Sequence, residues 1–194
     1  MRSARLVLAL SAFVASATAA EHYSYWVSPC TNEETGCRAG DDELASWALE
    51  AWQASSGALE FSRTQDREHA RIRIVWASAQ GGLYGETRRI EVDGKRGAEV
   101  YVLPTAGDTG GDPILRDAVV YLTCLHESGH ALGLPHTDAF ADIMYSFQYG
   151  GDIPEYFGRY RRKLATRADI RKNSGLSPAD RQHLETAISV RPGR

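Results

Sequence analysis

The spacing of apolar residues along the chain predicts several strands in its first half. Residues 23–27 alternate aromatic with polar side chains, which is typical of a strand that buries one face. Residues 59–61 indicate a short second strand, and residues 71–76 alternate before they become continuously apolar. These segments predict a sheet that has one well-buried face.

A hairpin is predicted around the dipeptide Asp93-Gly94, which favours tight turns. Residues 88–92 and 98–103 flank it as two strands, and residues 95–97 are expected to lengthen the loop. Adding a hairpin to strands that are separated by helical segments predicts a mixed sheet.

Three helices are predicted from apolar residues that recur at helical spacing. The first follows Asp41-Asp42, either of which can cap it, and ends before Gly57. The second follows Asp112-Pro113 and ends before Gly133. The third begins with a capping box at residues 177–180, Ser-Pro-Ala-Asp. The fold class is therefore α+β, with a twisted mixed sheet packed on long helices.

The first 19 residues have the features of a signal peptide. Arg2 and Arg5 precede an apolar run at residues 6–14, and residues 17–19 form an Ala-x-Ala cleavage site. A membrane anchor is the alternative, but the apolar run is too short to span a bilayer well. We therefore expect a secreted protein, extracellular or periplasmic, without a transmembrane segment and with one domain over residues 20–194.

Composition and charge exclude several classes of protein. The 194 residues are 43% hydrophobic and 24% charged, which excludes a disordered chain. A formal charge of −3 argues against a general nucleic-acid binder. That small value conceals an asymmetry, because residues 20–154 carry −11 and residues 155–194 carry +6. Residues 155–175 stand out as a basic insertion.

The three cysteines divide into a pair and a single residue. Cys30 and Cys37 lie close together in a turn-rich stretch, so we expect a disulfide between them, which export permits. Cys124 lies on the second predicted helix and faces away from its histidines, which favours a buried free thiol.

Residues 126–136, HESGHALGLPH, form the main chemical motif. His126 and His130 lie one helical turn apart on the same face, and Gly133 can adopt positive φ and turn the chain so that His136 reaches the same ion. Three histidines with an open fourth position are typical of a catalytic zinc site. In this arrangement Glu127 is the general base rather than a ligand.

The full motif, followed by Asp-Ile-Met-Tyr at residues 142–145, resembles the metzincin metallopeptidases, and among them the matrixins (peptidase M10). The resemblance implies a single catalytic domain with a zinc-binding helix, a turn that places Met144 below the zinc, and a C-terminal helix. It also implies a secreted endopeptidase that hydrolyses peptide bonds by a zinc-activated water with Glu127 as general base. Substrates would be proteins or peptides, bound by a monomer with one zinc ion.

The resemblance further implies how a substrate would bind. The edge strand of the sheet would pair with the peptide, and residues 98–103 are the candidate for that edge. Tyr145, Phe147 and Tyr149 are candidates for the wall of a side-chain pocket. Tyr145 could instead approach the metal, although packing beside Met144 fits the resemblance better.

Two further features have alternative interpretations. Residues 156–172 predict a basic amphipathic helix that either binds an anionic surface or is a solvated helix packing one apolar stripe. Residues 108–112 offer possible Ca²⁺ ligands, but a turn that leads into the helix cap is favoured. The alternative function is a catalytically inactive, secreted, zinc-containing peptide-binding module of the same fold, although such a module has no need of Glu127.

Overall fold

A computed structural model describes residues 20–78, 84–107 and 109–190 of the chain. The predicted signal peptide therefore lies outside the described residues. The strands are β1 (Glu21–Val27), β2 (Leu59–Arg63), β3 (Ile72–Trp76), β4 (Gly85–Val92) and β5 (Lys95–Val102). The helices are α1 (Asp41–Ser55), α2 (Pro113–Ala131), α3 (Ile153–Arg161) and α4 (Pro178–Ser189), with short 3-10 helices at Glu33–Thr35, Phe147–Tyr149 and Arg167–Lys172.

The described strands form one mixed sheet in the order β2-β1-β3-β5-β4. Only β4 runs antiparallel to its neighbour, which is β5, and the other pairs are parallel. The predicted α+β fold with a mixed sheet is therefore confirmed. The expectation that residues 98–103 form the sheet edge is wrong, because β5 pairs with β3 on one side and with β4 on the other. The edge strands of the described sheet are β2 and β4, and β4 is the one that lines the cavity beside the histidine motif.

The hairpin is tighter than predicted. Asp93 and Gly94 have φ values of 51° and 70°, so they form a two-residue turn in which Val92 pairs directly with Lys95. Gly97 lies within β5 rather than in a loop. The residue has to be small, because a Cβ there would lie 2.5 Å from the carbonyl oxygen of Arg71. Its lack of a side chain permits close approach of two strands.

The core lies between one face of the sheet and the two long helices. Buried and half-buried residues alternate along β1 and β3, so these strands bury one face more deeply than the other. α1 and α2 pack on each other and on the sheet. Trp52 of α1 is fully buried, and its indole N–H donates to the carbonyl oxygen of Leu125 on α2 at 2.9 Å. This contact fixes α2, the helix that carries the predicted zinc motif, against the core.

The helix ends agree with prediction for α2 and α4 and differ for α1. Asp112 caps α2 by accepting hydrogen bonds from two main-chain N–H groups, and Ser177 forms the capping box of α4. Asp41 does not cap α1, since Gly40 is the N-cap residue and the Asp41 carboxylate forms a buried ion pair with Arg116. α1 ends at Ser55, and its C-cap residue, Ser56, has an extended backbone.

The basic segment is not one continuous helix, which corrects the prediction for residues 156–172. α3 ends at Arg161, and a new capping box formed by Thr166 and Asp169 begins the 3-10 helix Arg167–Lys172. Five of the basic side chains pair with carboxylates: Arg161 with Asp112, Arg162 with Glu155, Arg167 with Glu43 and Asp117, Arg171 with Glu50, and Lys172 with Asp169. Three of these side chains, Arg161, Arg167 and Arg171, thus pair with carboxylates in the rest of the domain, and the other two pairs lie within the segment.

No helix in the described part of the chain is long and apolar enough to cross a membrane.

Candidate active site

Three histidines converge at the C-terminal end of α2. His126 and His130 lie one turn apart on the helix, and Gly133, with φ of 92°, turns the chain back towards them. Nε2 of His136 lies 3.3 Å from Nε2 of His126 and 3.0 Å from Nε2 of His130. The structure therefore brings together the three side chains that the motif predicts as metal ligands.

The outer ring nitrogens determine which tautomers these histidines adopt. Nδ1 of His126 lies 2.6 Å from the carbonyl oxygen of Ile143, and Nδ1 of His130 lies 2.9 Å from that of Leu134. A carbonyl oxygen only accepts hydrogen bonds, so both Nδ1 atoms carry the proton. Both Nε2 atoms therefore present lone pairs to the centre of the cluster, where the ring of His136 can donate a hydrogen to only one of them.

This arrangement fits a zinc ion. Nitrogen ligands about 2.0–2.1 Å from a tetrahedral zinc ion lie roughly 3.3 Å from one another. The Nε2 separations of 3.0 and 3.3 Å are close to that value. Burial lowers the pKa of each histidine, that of His126 to about 3 with a further contribution from His130, so the rings remain neutral. Neutral imidazoles are the form that binds zinc.

Met144 follows the histidine motif and is fully buried. Its sulfur packs so closely on Gly129 of α2 that any side chain there would collide with it. The main chain links the turn to the third histidine, because the N–H of Thr137 donates to the carbonyl oxygen of Met144 at 2.8 Å. Met144 thus packs on the helix that carries His126 and His130, and its main chain is bonded to the residue after His136.

Glu127 lies beside the histidines and lines the same cavity, with 6% of its surface exposed. Burial raises the pKa of its carboxyl group to about 7, against the opposing effect of a hydrogen bond from the hydroxyl of Thr87. A carboxylate in that range can accept and release a proton near neutral pH.

The cavity beside Glu127 has a volume of about 630 Å³ and an aromatic wall. Tyr145 and Phe147 line it, as predicted, and the Tyr145 hydroxyl donates to the carbonyl oxygen of Gly150. Tyr149 does not belong to the wall, since 57% of its surface is exposed and it lies outside the cavity. The 3-10 turn at Phe147–Tyr149 directs this side chain away from the cavity.

Sequence analysis missed part of the aromatic wall. Tyr84, Tyr156 and Phe157 also line the cavity, and the rings of Tyr84 and Phe157 lie 5.0 Å apart. Tyr156 and Phe157 belong to α3, in the basic segment, whose function we interpreted mainly from its charge. The two adjacent aromatic residues at positions 156 and 157 were the available signal.

The remaining predicted residues lie outside the cavity. Cys30 and Cys37 form a disulfide, and Cys124 is a fully buried free thiol whose pKa is raised by burial. Asp112 uses its carboxylate to cap α2 and to bind Arg161, so its oxygens are already engaged. Residue 108, the other acidic member of the possible calcium loop, lies outside the described residues.

Comparisons with known proteins agree with the motif. The sequence model of the matrixin family, peptidase M10, matches residues 18–153. Among solved structures, archaemetzincin from Methanopyrus kandleri is similar over 91% of this chain and 99% of that chain, with 12% identity and a TM-score of 0.49. No curated protein matches the sequence. Because the family match covers most of the chain, including the whole histidine motif, this protein belongs to the matrixin family of metallopeptidases.

Proposed function

We propose that this protein is an exported zinc-dependent endopeptidase. His126, His130 and His136 would hold one zinc ion, and Glu127 would be the general base. The observation that carries the proposal is the convergence of three Nε2 atoms and one buried carboxylate on a single cavity. A site that only needed to hold zinc would gain nothing from burying that carboxylate, which costs free energy.

The free edge of β4 offers a binding site for an extended peptide. Main-chain groups on the outer side of β4 have no strand partner among the described residues, so they can form hydrogen bonds with a substrate strand. Residues of β4 also line the cavity that contains Glu127. A peptide bound along this edge would therefore pass over the histidines. The side chain next to the cleaved bond would enter the aromatic cavity, which favours a large apolar residue.

Proton transfer is the task of Glu127 in this mechanism. Zinc, when bound, would polarise the scissile carbonyl and lower the pKa of a water molecule. Glu127 takes a proton from the attacking water as the new C–O bond forms. It then delivers that proton to the amine nitrogen as the C–N bond breaks, so the carboxylate is regenerated at the end of the cycle.

Export is part of the proposal. The arginines, apolar run and Ala-x-Ala site of the first 19 residues support it. The disulfide between Cys30 and Cys37 is consistent with an oxidising compartment. N-terminal sequencing of protein from the culture medium or periplasm would test it, with residue 20 or 21 expected at the mature terminus.

The rival function is a secreted binding module that holds zinc but does not cleave. Purified mature protein, analysed for zinc and incubated with an unstructured protein, separates the two functions. We expect about one zinc per chain, cleavage on the amino side of large apolar residues, and loss of cleavage in a chelator that returns when zinc is added. Zinc-loaded protein that binds the substrate and leaves it intact would establish the rival.

An anionic surface as partner receives little support from the ion pairs of the basic segment. Arg161, Arg167 and Arg171 are already bound to carboxylates of the same chain. Charge reversal of these residues should therefore lower the stability of the protein. Its binding to anionic vesicles at low salt should change little.

A further inference from the structure

The edge strand β4 contacts the proposed general base directly. Along a strand, alternate side chains point to the same face, and Gly85 and Thr87 both face α2. Each touches Glu127, Gly85 at the aliphatic stem and Thr87 at the carboxylate. The strand that offers its free edge to a substrate therefore also holds the base.

The hydroxyl of Thr87 has two acceptors on the same residue. It lies 2.7 Å from Oε2 of Glu127 and 2.9 Å from the main-chain carbonyl oxygen of Glu127. A threonine hydroxyl carries one hydrogen, so the two acceptors share it. No other side chain in the described ranges forms a hydrogen bond with this carboxylate, which leaves Oε1 as the oxygen that can receive a proton from water.

Gly85 limits the other end of the Glu127 side chain. A Cβ at residue 85 would lie 2.7 Å from Cγ of Glu127 and 2.9 Å from the carbonyl oxygen of Tyr101. The glycine backbone therefore packs against the stem, while Thr87 holds the head. A glutamate side chain otherwise has several rotamers, and a base must keep within hydrogen-bond reach of its proton donor.

We propose that Thr87 is a positioning residue, which holds Oε2 of Glu127 so that Oε1 faces the attacking water. The inference rests on the proposed function, because it assigns a task to Thr87 within that mechanism. Loss of the hydroxyl would free the carboxylate to adopt unproductive rotamers. The number of bound substrates would not change, but fewer of them would react at any moment.

A purely structural role for Thr87 predicts a different result. Its bond to the main-chain oxygen of Glu127 also joins β4 to α2, so its loss could loosen the edge strand. A looser edge would raise KM and lower thermal stability. Loss of positioning would lower kcat and leave both of those quantities unchanged.

Two substitutions separate the hydroxyl from the shape of the side chain. Thr87→Val keeps the shape and removes the hydroxyl, and Thr87→Ser keeps the hydroxyl. Should Val prevent folding, Thr87→Ala removes the hydroxyl without adding a methyl contact. Thr186→Val is the matched control, because this threonine lies exposed on α4 and its hydroxyl donates to its own helix.

The experiment measures kcat, KM, zinc content and melting temperature for each zinc-loaded variant with one peptide substrate. We expect Thr87→Val to lower kcat by roughly 10- to 100-fold, with KM within about twofold and zinc content unchanged. Thr87→Ser should recover kcat to within a few fold, and Thr186→Val should match the wild type.

Three outcomes would overturn the inference. Wild-type kcat in Thr87→Val would show that the hydroxyl is dispensable, and equal losses in the Ser and Val variants would show that the hydroxyl is not the cause. A raised KM and a lowered melting temperature with unchanged kcat would establish the structural role. Zinc-loaded wild type that cleaves no substrate would instead overturn the proposed function, and this inference with it.

Discussion

Asp180 and His126 are joined through the main chain of one residue, Ile143. The carboxylate of Asp180 accepts a hydrogen bond of 2.9 Å from the N–H of Ile143, and the carbonyl oxygen of Ile143 lies 2.6 Å from Nδ1 of His126. Asp180 is fully buried and belongs to the capping box that begins α4. The start of the C-terminal helix therefore orients the first of the proposed zinc ligands.

Asp180→Asn should destabilise the protein and weaken zinc binding. The amide of asparagine replaces one acceptor oxygen by a donor. In place of Oδ2 it would face the main-chain N–H groups of Ile143 and Ser177, and in place of Oδ1 it would face that of Met144. We expect a loss of about 2 kcal/mol in the free energy of unfolding, the scale for a buried charged hydrogen bond. Urea denaturation measures this change. Glu185→Gln, exposed on the same helix, should change stability by less than about 0.5 kcal/mol, and an equal loss in both variants would contradict the interpretation.

Tyr156→Phe should lower zinc affinity without unfolding the protein. The Tyr156 hydroxyl lies 3.0 Å from the carbonyl oxygen of Asp142 and 3.2 Å from that of Ile143, so the two acceptors share its hydrogen. The Ile143 oxygen also receives Nδ1–H of His126. Partners of zinc ligands typically contribute about 10-fold or more to metal affinity. Competition with a chromophoric chelator measures the dissociation constant. Tyr149→Phe is the control, since Tyr149 is exposed, and a zinc affinity unchanged in Tyr156→Phe would refute the prediction.

Glu127→Gln should keep the zinc site and lose turnover. The amide has nearly the shape of the carboxylate but cannot accept the proton of water, so kcat should fall by at least about 10²- to 10⁴-fold. Zinc content by elemental analysis should match that of the wild type. Glu185→Gln, exposed on α4 and away from the cavity, provides the control. Substantial activity in Glu127→Gln would sink the assignment of the base.

Arg116→Met should destabilise the fold far more than an equivalent change at the surface. Arg116 forms a buried ion pair with Asp41, with Nη2 lying 2.6 Å from Oδ2. Its removal leaves a buried carboxylate without its partner, which costs about 3–5 kcal/mol. Arg63→Met breaks the exposed pair with Asp42, and should cost less than about 1 kcal/mol. Comparable losses in chemical denaturation of the two variants would contradict this difference.

Local sequence was sufficient to predict the features whose interacting groups lie close together in the chain. Asp112-Pro113 and the box at residues 177–180 specify helix starts because the cap and the groups it satisfies lie within three residues. The motif at residues 126–136 predicted a convergent cluster because helical periodicity and one glycine determine the positions of its histidines.

Tertiary contacts decided the features whose partners are distant in sequence. Asp41 could have capped α1, but a buried arginine 75 residues away binds its carboxylate. Sequence analysis predicted an edge at residues 98–103, in β5, whereas β4 lies at that edge in the structure. Strand order depends on pairing across the whole sheet. The aromatic wall from α3 and the contact of Thr87 with Glu127 likewise join segments that no local pattern relates. The residue types and spacing of the motif were sufficient to predict the metal cluster. The groups that surround the cluster come from elements that are distant in sequence. Their interaction energies depend on distances that are set only when the chain folds.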